Sequence, residues 1–180
     1  MPGDLGPGKG GSAPMRRGRG GNVILETALW IPVLLLLITG IFQFGKITYT
    51  YYSLKKTVNT VAAYLAAQNG VNYCNGAADP IVTNAINFGI TGTTDGSGAP
   101  LIFGLTPDMI TVTTQCIDPI SGAPGDCDIS QCGDPAGGQR PDLIVVSMPG
   151  GYIVQPRIPY ILLDPIPLKP QAVMPNGGGS

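Results

Sequence analysis

The stretch from Asn22 to Gly45, NVILETALWIPVLLLLITGIFQFG, constrains everything else in the chain, because its 24 residues contain a single ionisable side chain, Glu26. As an α-helix it would span roughly 36 Å at about 1.5 Å per residue, enough for a bilayer hydrocarbon core of about 30 Å. A chain of 180 residues that commits such a segment to lipid keeps room for one modest domain. Pro32 predicts a kink rather than an end, since membrane helices re-satisfy the carbonyl that proline frees. Arg16, Arg17 and Arg19 precede the stretch, whereas Lys46, Lys55 and Lys56 follow it, so the positive-inside count favours a cytoplasmic N-terminus narrowly. Tyr49, Tyr51 and Tyr52 supply an aromatic belt at its exit. Only 12% of the chain is charged, against about 25% in soluble domains, which agrees with lipid or partner protein covering part of it.

Three regions follow from this anchor. Residues 1–21 hold eight glycines with Pro2, Pro7 and Pro14 and no apolar period, the composition of a disordered basic leader. Residues 22–69 read as one helix, because Ile47, Tyr51, Leu54, Val58, Val61 and Leu65 continue at spacings of three and four, an apolar seam offered to the chain's own domain or to a neighbour. Thr50, Ser53, Thr57 and Thr60 lie opposite, and Asn69-Gly70 supplies a stop. Residues 70–180 form a small domain. Asp79-Pro80 caps a short helix over 80–88, which Gly89 should close. Short β-prone runs at Leu101–Phe103, Ile110–Ile117, Leu143–Met148, Tyr152–Val154 and Tyr160–Leu163 then predict a small antiparallel sheet. Prolines at 156, 159, 165, 167, 170 and 175 confine the last segment to extended, edge-like or polyproline backbone, and residues 177–180 are a loose end. The expected fold class is α+β.

The residues that are missing exclude much chemistry. With no histidine the commonest general base and metal ligand are absent, and no constellation points to an enzyme. Residues 70–180 carry nine Asp against Arg140, Arg157 and Lys169, a balance unsuited to nucleic acid. Cys74, Cys116, Cys127 and Cys132 all follow the apolar stretch, in the even number that two disulfides require in an oxidising compartment. Three connectivities are open; the short Cys127–Cys132 loop with a Cys74–Cys116 bridge is the expected one. The cysteine spacings do not fit a zinc knuckle. Asp126, Asp128, Ser130 and Asp134 superficially resemble a calcium loop, but Gln131 and Gly137 stand where an EF-hand wants Gly and Glu, which leaves a solvated acidic loop. No cofactor and no metal is expected. A secretory signal peptide over 16–45 is disfavoured, since the apolar core is too long and small residues suited to cleavage come only near Ala62–Ala67.

Glu26 is the most informative residue, because a carboxylate inside an apolar span is costly unless it snorkels to water or finds a partner. Cleavage after Gly21 would make it the fifth residue of the mature chain and would create a new α-amino group on Asn22. Basic residues, Gly21 and an apolar helix with glutamate at the fifth position resemble the processing site of type IV prepilins. More narrowly, Arg16-Arg17, Gly21, Leu25-Glu26, Ala28-Leu29 with Pro32, Val33–Leu37, Gly40-Ile41 and Phe44-Gly45 resemble the TadE/TadG-like minor pseudopilins of tight-adherence (Flp-type) pili. The resemblance covers about fifty residues; Leu143–Met148, the proline-rich stretch and Ala172-Val173-Met174 resemble the end of a TadE-like domain more weakly. It implies a minor subunit or assembly factor of an envelope pilus. A prepilin peptidase would recognise Gly21 and Asn22, and other pilins would pair through Glu26 and the 47–65 seam. The N-terminus would be cytoplasmic and residues 70–180 periplasmic, anchored in the bacterial inner membrane or incorporated in a pilus. The alternative is an anchored periplasmic binding or adhesion module that no prepilin peptidase processes.

Overall fold

The computed structural model describes residues 20–127, 141–156 and 163–177, with the backbone alone at 20–22 and 76–77. The leader up to Arg19, the acidic loop at Asp128, Ser130 and Asp134, Cys132, the run at 160–162 and the last three residues lie outside that range. The chain divides into two units, Met1–Thr39 and Gly40–Ser180.

Helix α1 runs from Gly20 to Ala66 and continues through Pro32. It ends three residues before the expected stop, where Ala67 N–H and Gln68 N–H donate to Ala63 and Leu65 carbonyls and the chain turns toward Gly70, whose φ of 78° needs glycine. A 3₁₀ helix over Tyr73–Ala78 leads to α2, Pro80–Thr91. Asp79 caps α2: one carboxylate oxygen accepts from Ile81 N–H at 2.7 Å and Val82 N–H at 3.3 Å, and the other from Asn72 N–H at 3.1 Å. The helix does not close at Gly89. It continues to Thr91 and is capped by Gly92 in the left-handed region, while Gly89 is buried in its interior. The reason is tertiary: a Cβ on Gly89 would stand 2.4 Å from Val61 Cγ2 and 3.3 Å from the Thr57 carbonyl, so glycine is there for close approach to α1.

The strands are β1 (Thr111–Ile117), β2 (Pro124–Asp126), β3 (Leu143–Ser147), β4 (Tyr152–Val154), β5 (Ile166–Leu168) and β6 (Gln171–Pro175). One antiparallel sheet has the order β2-β1-β3-β6, with Val112 opposite Val146 and Val146 opposite Ala172; β4 and β5 form a separate two-stranded ribbon. Pro124 and Pro175 both sit on edge strands, the places where a missing N–H removes least. Leu101–Phe103, expected as a strand, forms turns instead. Leu101 N–H donates to Ile90 O, which ties this segment to the end of α2 rather than to a neighbouring strand. The core gathers Leu54, Val58, Val61 and Leu65 of α1, Val82, Ala85, Ile86 and Ile90 of α2, and Ile144, Val146 and Ala172 of the sheet into one buried cluster. Fully burying one such aliphatic side chain contributes about 1.5–3 kcal/mol.

The expected cysteine pairing is corrected. Cys116 bonds Cys127, with Cα atoms 4.9 Å apart, and Cys74 is disulfide-bonded as well. A turn decides this: the Asp118 carboxylate accepts from Ile120 N–H at 2.7 Å and Ser121 N–H at 2.9 Å, and Gly122 at φ 67° sends the chain back along β1. Cys116 then faces Gly125, two residues before Cys127. Closing a loop of 11 residues contributes about 3 kcal/mol by the chain-entropy argument. The same two amides hold the Asp118 carboxyl below its usual range.

Candidate functional site

The first unit offers a helix surface with nothing covering it. From Val23 to Ile38 every side chain is exposed, and the segment is long and apolar enough to cross a membrane. Its few hydroxyls are satisfied internally: Thr27 Oγ1 donates to Val23 O at 2.8 Å and Thr39 Oγ1 to Leu35 O at 2.7 Å, one turn back in each case. Hydroxyls bonded this way ask nothing of the surroundings, as a hydrocarbon environment requires. Glu26 is exposed on this surface. The backbone of Gly21 and Asn22 already lies in the first turn of α1, and their side chains lie outside the described range.

Past Gly40 the surface changes. Lys46 is exposed, Thr50 Oγ1 bonds Lys46 O at 2.9 Å, and Tyr49, Tyr51 and Tyr52 are exposed together, the amphipathic ring expected where a helix leaves lipid. The Lys55 ammonium donates to Gln171 O at the start of β6.

The six seam residues do not share one environment. Leu54, Val58, Val61 and Leu65 have no exposed surface and belong to the chain's own core, Ile47 packs partly against that core, and Tyr51 remains exposed. Periodicity alone left open whether the stripe faces the domain or a neighbour; for residues 54–65 it faces the domain. Thr57, on the side expected to be polar, is buried as well, because α2 passes over it at Gly89. Sequence reasoning had no signal for this beyond Gly89 itself.

One polar cluster went unnoticed at the level of sequence. Asp79 is buried, joins Asn72 to the start of α2, and lies near Tyr73. Burial first, and the nearby Asp79 carboxylate second, push the Tyr73 hydroxyl up to about 12. That hydroxyl is buried with no hydrogen-bond partner among the described residues. Nothing about the cluster suggests chemistry; it fixes the α1–α2 connection. Among the described residues no group of three or more His, Cys, Asp or Glu side chains is placed to hold a metal ion.

The geometry therefore defines a class: a small disulfide-bonded α+β domain carried on an N-terminal apolar helix of membrane-spanning length. The particular kind comes from comparison. Residues 21–63 match the family model of TadE-like proteins, and over that segment the chain is TadE-like. The match lies wholly within α1 and does not extend into residues 70–180. No curated protein and no solved structure matches the chain.

Proposed function

We propose that the chain is a minor pseudopilin or assembly protein of a tight-adherence pilus. In this reading residues 1–21 are a cytoplasmic leader, residues 22–45 hold the chain in the bacterial inner membrane, and residues 70–180 lie in the periplasm. The observation that carries the reading is a near-coincidence of position: the TadE-like match begins at Gly21, one residue after α1 begins and two before the exposed apolar surface that starts at Val23. The Cys116–Cys127 bridge supports an oxidising compartment for the domain.

The chemistry at the helix start follows. Prepilin peptidase cleavage after Gly21 leaves a cationic α-amino group on Asn22 at the edge of lipid. A carboxylate near it in a neighbouring subunit lowers the cost of both charges, and Glu26 is that carboxylate. Because Leu54, Val58, Val61 and Leu65 are buried in the chain's own core and Ile47 packs partly against it, lateral contacts to other pilins fall to the exposed surface of the helix before Leu54, with Glu26 and Tyr51 among them.

N-terminal sequencing of the mature protein tests processing. A start at Asn22 is the expected result, and a start at Met1 favours the unprocessed binding or adhesion module. Glu26→Ala should leave the protein in the membrane fraction while abolishing its cross-linking to other pilins; undiminished cross-linking would remove the proposed role of the carboxylate.

A further inference from the structure

We infer that one end of the C-terminal domain rests on the bilayer, with Leu101, Phe103 and Ile153 inserted among the lipid headgroups, so that the domain does not hang free from its helix. The inference builds on the membrane-anchor reading above.

Direction within the domain comes from α1 and β6. Lys55 bonds the first residue of β6, Gln171, and Gly177, just past its end, lies against the Ala66 carbonyl. β6 therefore runs alongside α1 in the same direction, and the Gln171 end is the end at which the chain enters the domain. Ser147 of β3 pairs with Gln171, and Thr111 of β1 pairs with Ser147, so both lie at that end. The chain then turns at Gly151, whose N–H donates to Met148 O, and forms the β4–β5 ribbon there. Tyr152 of the ribbon donates its hydroxyl to Phe103 O at 2.6 Å, fastening the 101–105 loop to the same end.

Large apolar side chains stand uncovered at this end: Phe103 is 94% exposed, Leu101 70% and Ile153 57%. Anchoring holds them in place, because neighbouring Ile102, Leu105 and Val154 are tied into the core. Ile47, two residues beyond Gly45, also packs against that core, so the core reaches along α1 to within a turn of the end of the apolar stretch. Exposed Lys46, Tyr49 and Tyr52 follow within two turns of Gly45, and Lys56 is exposed about one turn further on. An aromatic and apolar tip beside a cationic collar suits a lipid headgroup layer, where the rings enter the interface and the ammonium groups meet phosphate. The opposite end carries a comparably exposed side chain, Ile120 at 95%, in the β1–β2 turn, and serves as an internal control.

The chain has one tryptophan, Trp30, so depth can be read by fluorescence quenching in the full-length protein reconstituted into phosphatidylcholine vesicles brominated in the upper acyl chain. Native Trp30 reports the span. Phe103→Trp, Ile153→Trp and Ile120→Trp, each combined with Trp30→Phe, report the two ends, and their exposure keeps them harmless to folding. Expected are strong quenching of Trp30, quenching and a blue shift for the reporters at 103 and 153, and neither for that at 120. Quenched Trp30 with reporters 103 and 153 behaving like 120 would overturn the inference and leave the anchor standing. Unquenched Trp30 would remove the anchor itself, and the inference with it.

Discussion

Placing a methyl group on Gly89 tests the packing of α2 on α1 directly. By helix propensity alone Gly89→Ala should stabilise α2 by about 1 kcal/mol. The structure reverses the sign. The new Cβ would stand 2.4 Å from Val61 Cγ2 and 3.3 Å from the Thr57 carbonyl, and Val61 has no exposed surface into which to retreat. Overpacking costs about 1–3 kcal/mol, and a contact as close as 2.4 Å belongs in the upper half of that range, about 2–3 kcal/mol, so with the propensity gain of about 1 kcal/mol subtracted the expected net loss is about 1–2 kcal/mol. For a domain of this size that is a fall of roughly 3–8 °C in the unfolding midpoint. Removing the obstacle gives the sharper test. Val61→Ala alone should destabilise by about 1–3 kcal/mol through its lost methyls, but adding Gly89→Ala to it should cost nothing further or restore stability. The assay is thermal unfolding of the full chain in mild detergent, followed by near-ultraviolet circular dichroism of Tyr64 and Tyr73 in the domain. A rise in midpoint for Gly89→Ala, or the same loss with and without Val61, would refute the reasoning.

Two further perturbations address the α1–α2 connection. Asp79→Ala removes three acceptor contacts at once, about 1–2 kcal/mol for the cap and about 1 kcal/mol for the Asn72 amide, whereas Asp79→Asn keeps an acceptor oxygen and should recover most of it in the same unfolding assay. Tyr73 supplies a pH dependence: its hydroxyl is raised from 10 to about 12 in the folded chain, so the folded state holds the proton more tightly than the unfolded one. The stability it contributes is intact below pH 10 and is lost as pH rises from 10 to about 12. Over that interval native protein should lose stability more steeply than Tyr73→Phe, and parallel pH profiles for the two would show that the tyrosine is not the titrating group.

Much of the fold could be read from local pattern. The apolar stretch needs only its own composition and length to declare itself, the Asp79-Pro80 cap acts within one turn, and β1, β3 and β4 lie where β-branched residues cluster. The same is true of the TadE-like character, carried by a contiguous run of residues. The misreadings fall where a residue answers to a distant partner. Gly89 resembles a helix stop because glycine usually is one, yet here it admits α1. Cys127 has a near neighbour in Cys132, yet the Asp118 turn delivers it to Cys116. β2, β5 and β6 are too short or too rich in proline to stand out, and exist because a neighbouring strand, β1, β4 or β3 respectively, supplies a ladder for each.

The amino-acid order by itself determined that an apolar helix of membrane-spanning length would precede a small, acidic, cysteine-containing domain, because length, hydropathy and charge act residue by residue. Only the tertiary structure decided that Leu54, Val58, Val61 and Leu65 serve the domain's own core, that Cys116 meets Cys127, and that Phe103 and Ile153 share one end of the domain. Those outcomes depend on which surfaces meet across the chain, and one apolar stripe satisfies periodicity equally well whatever it packs against.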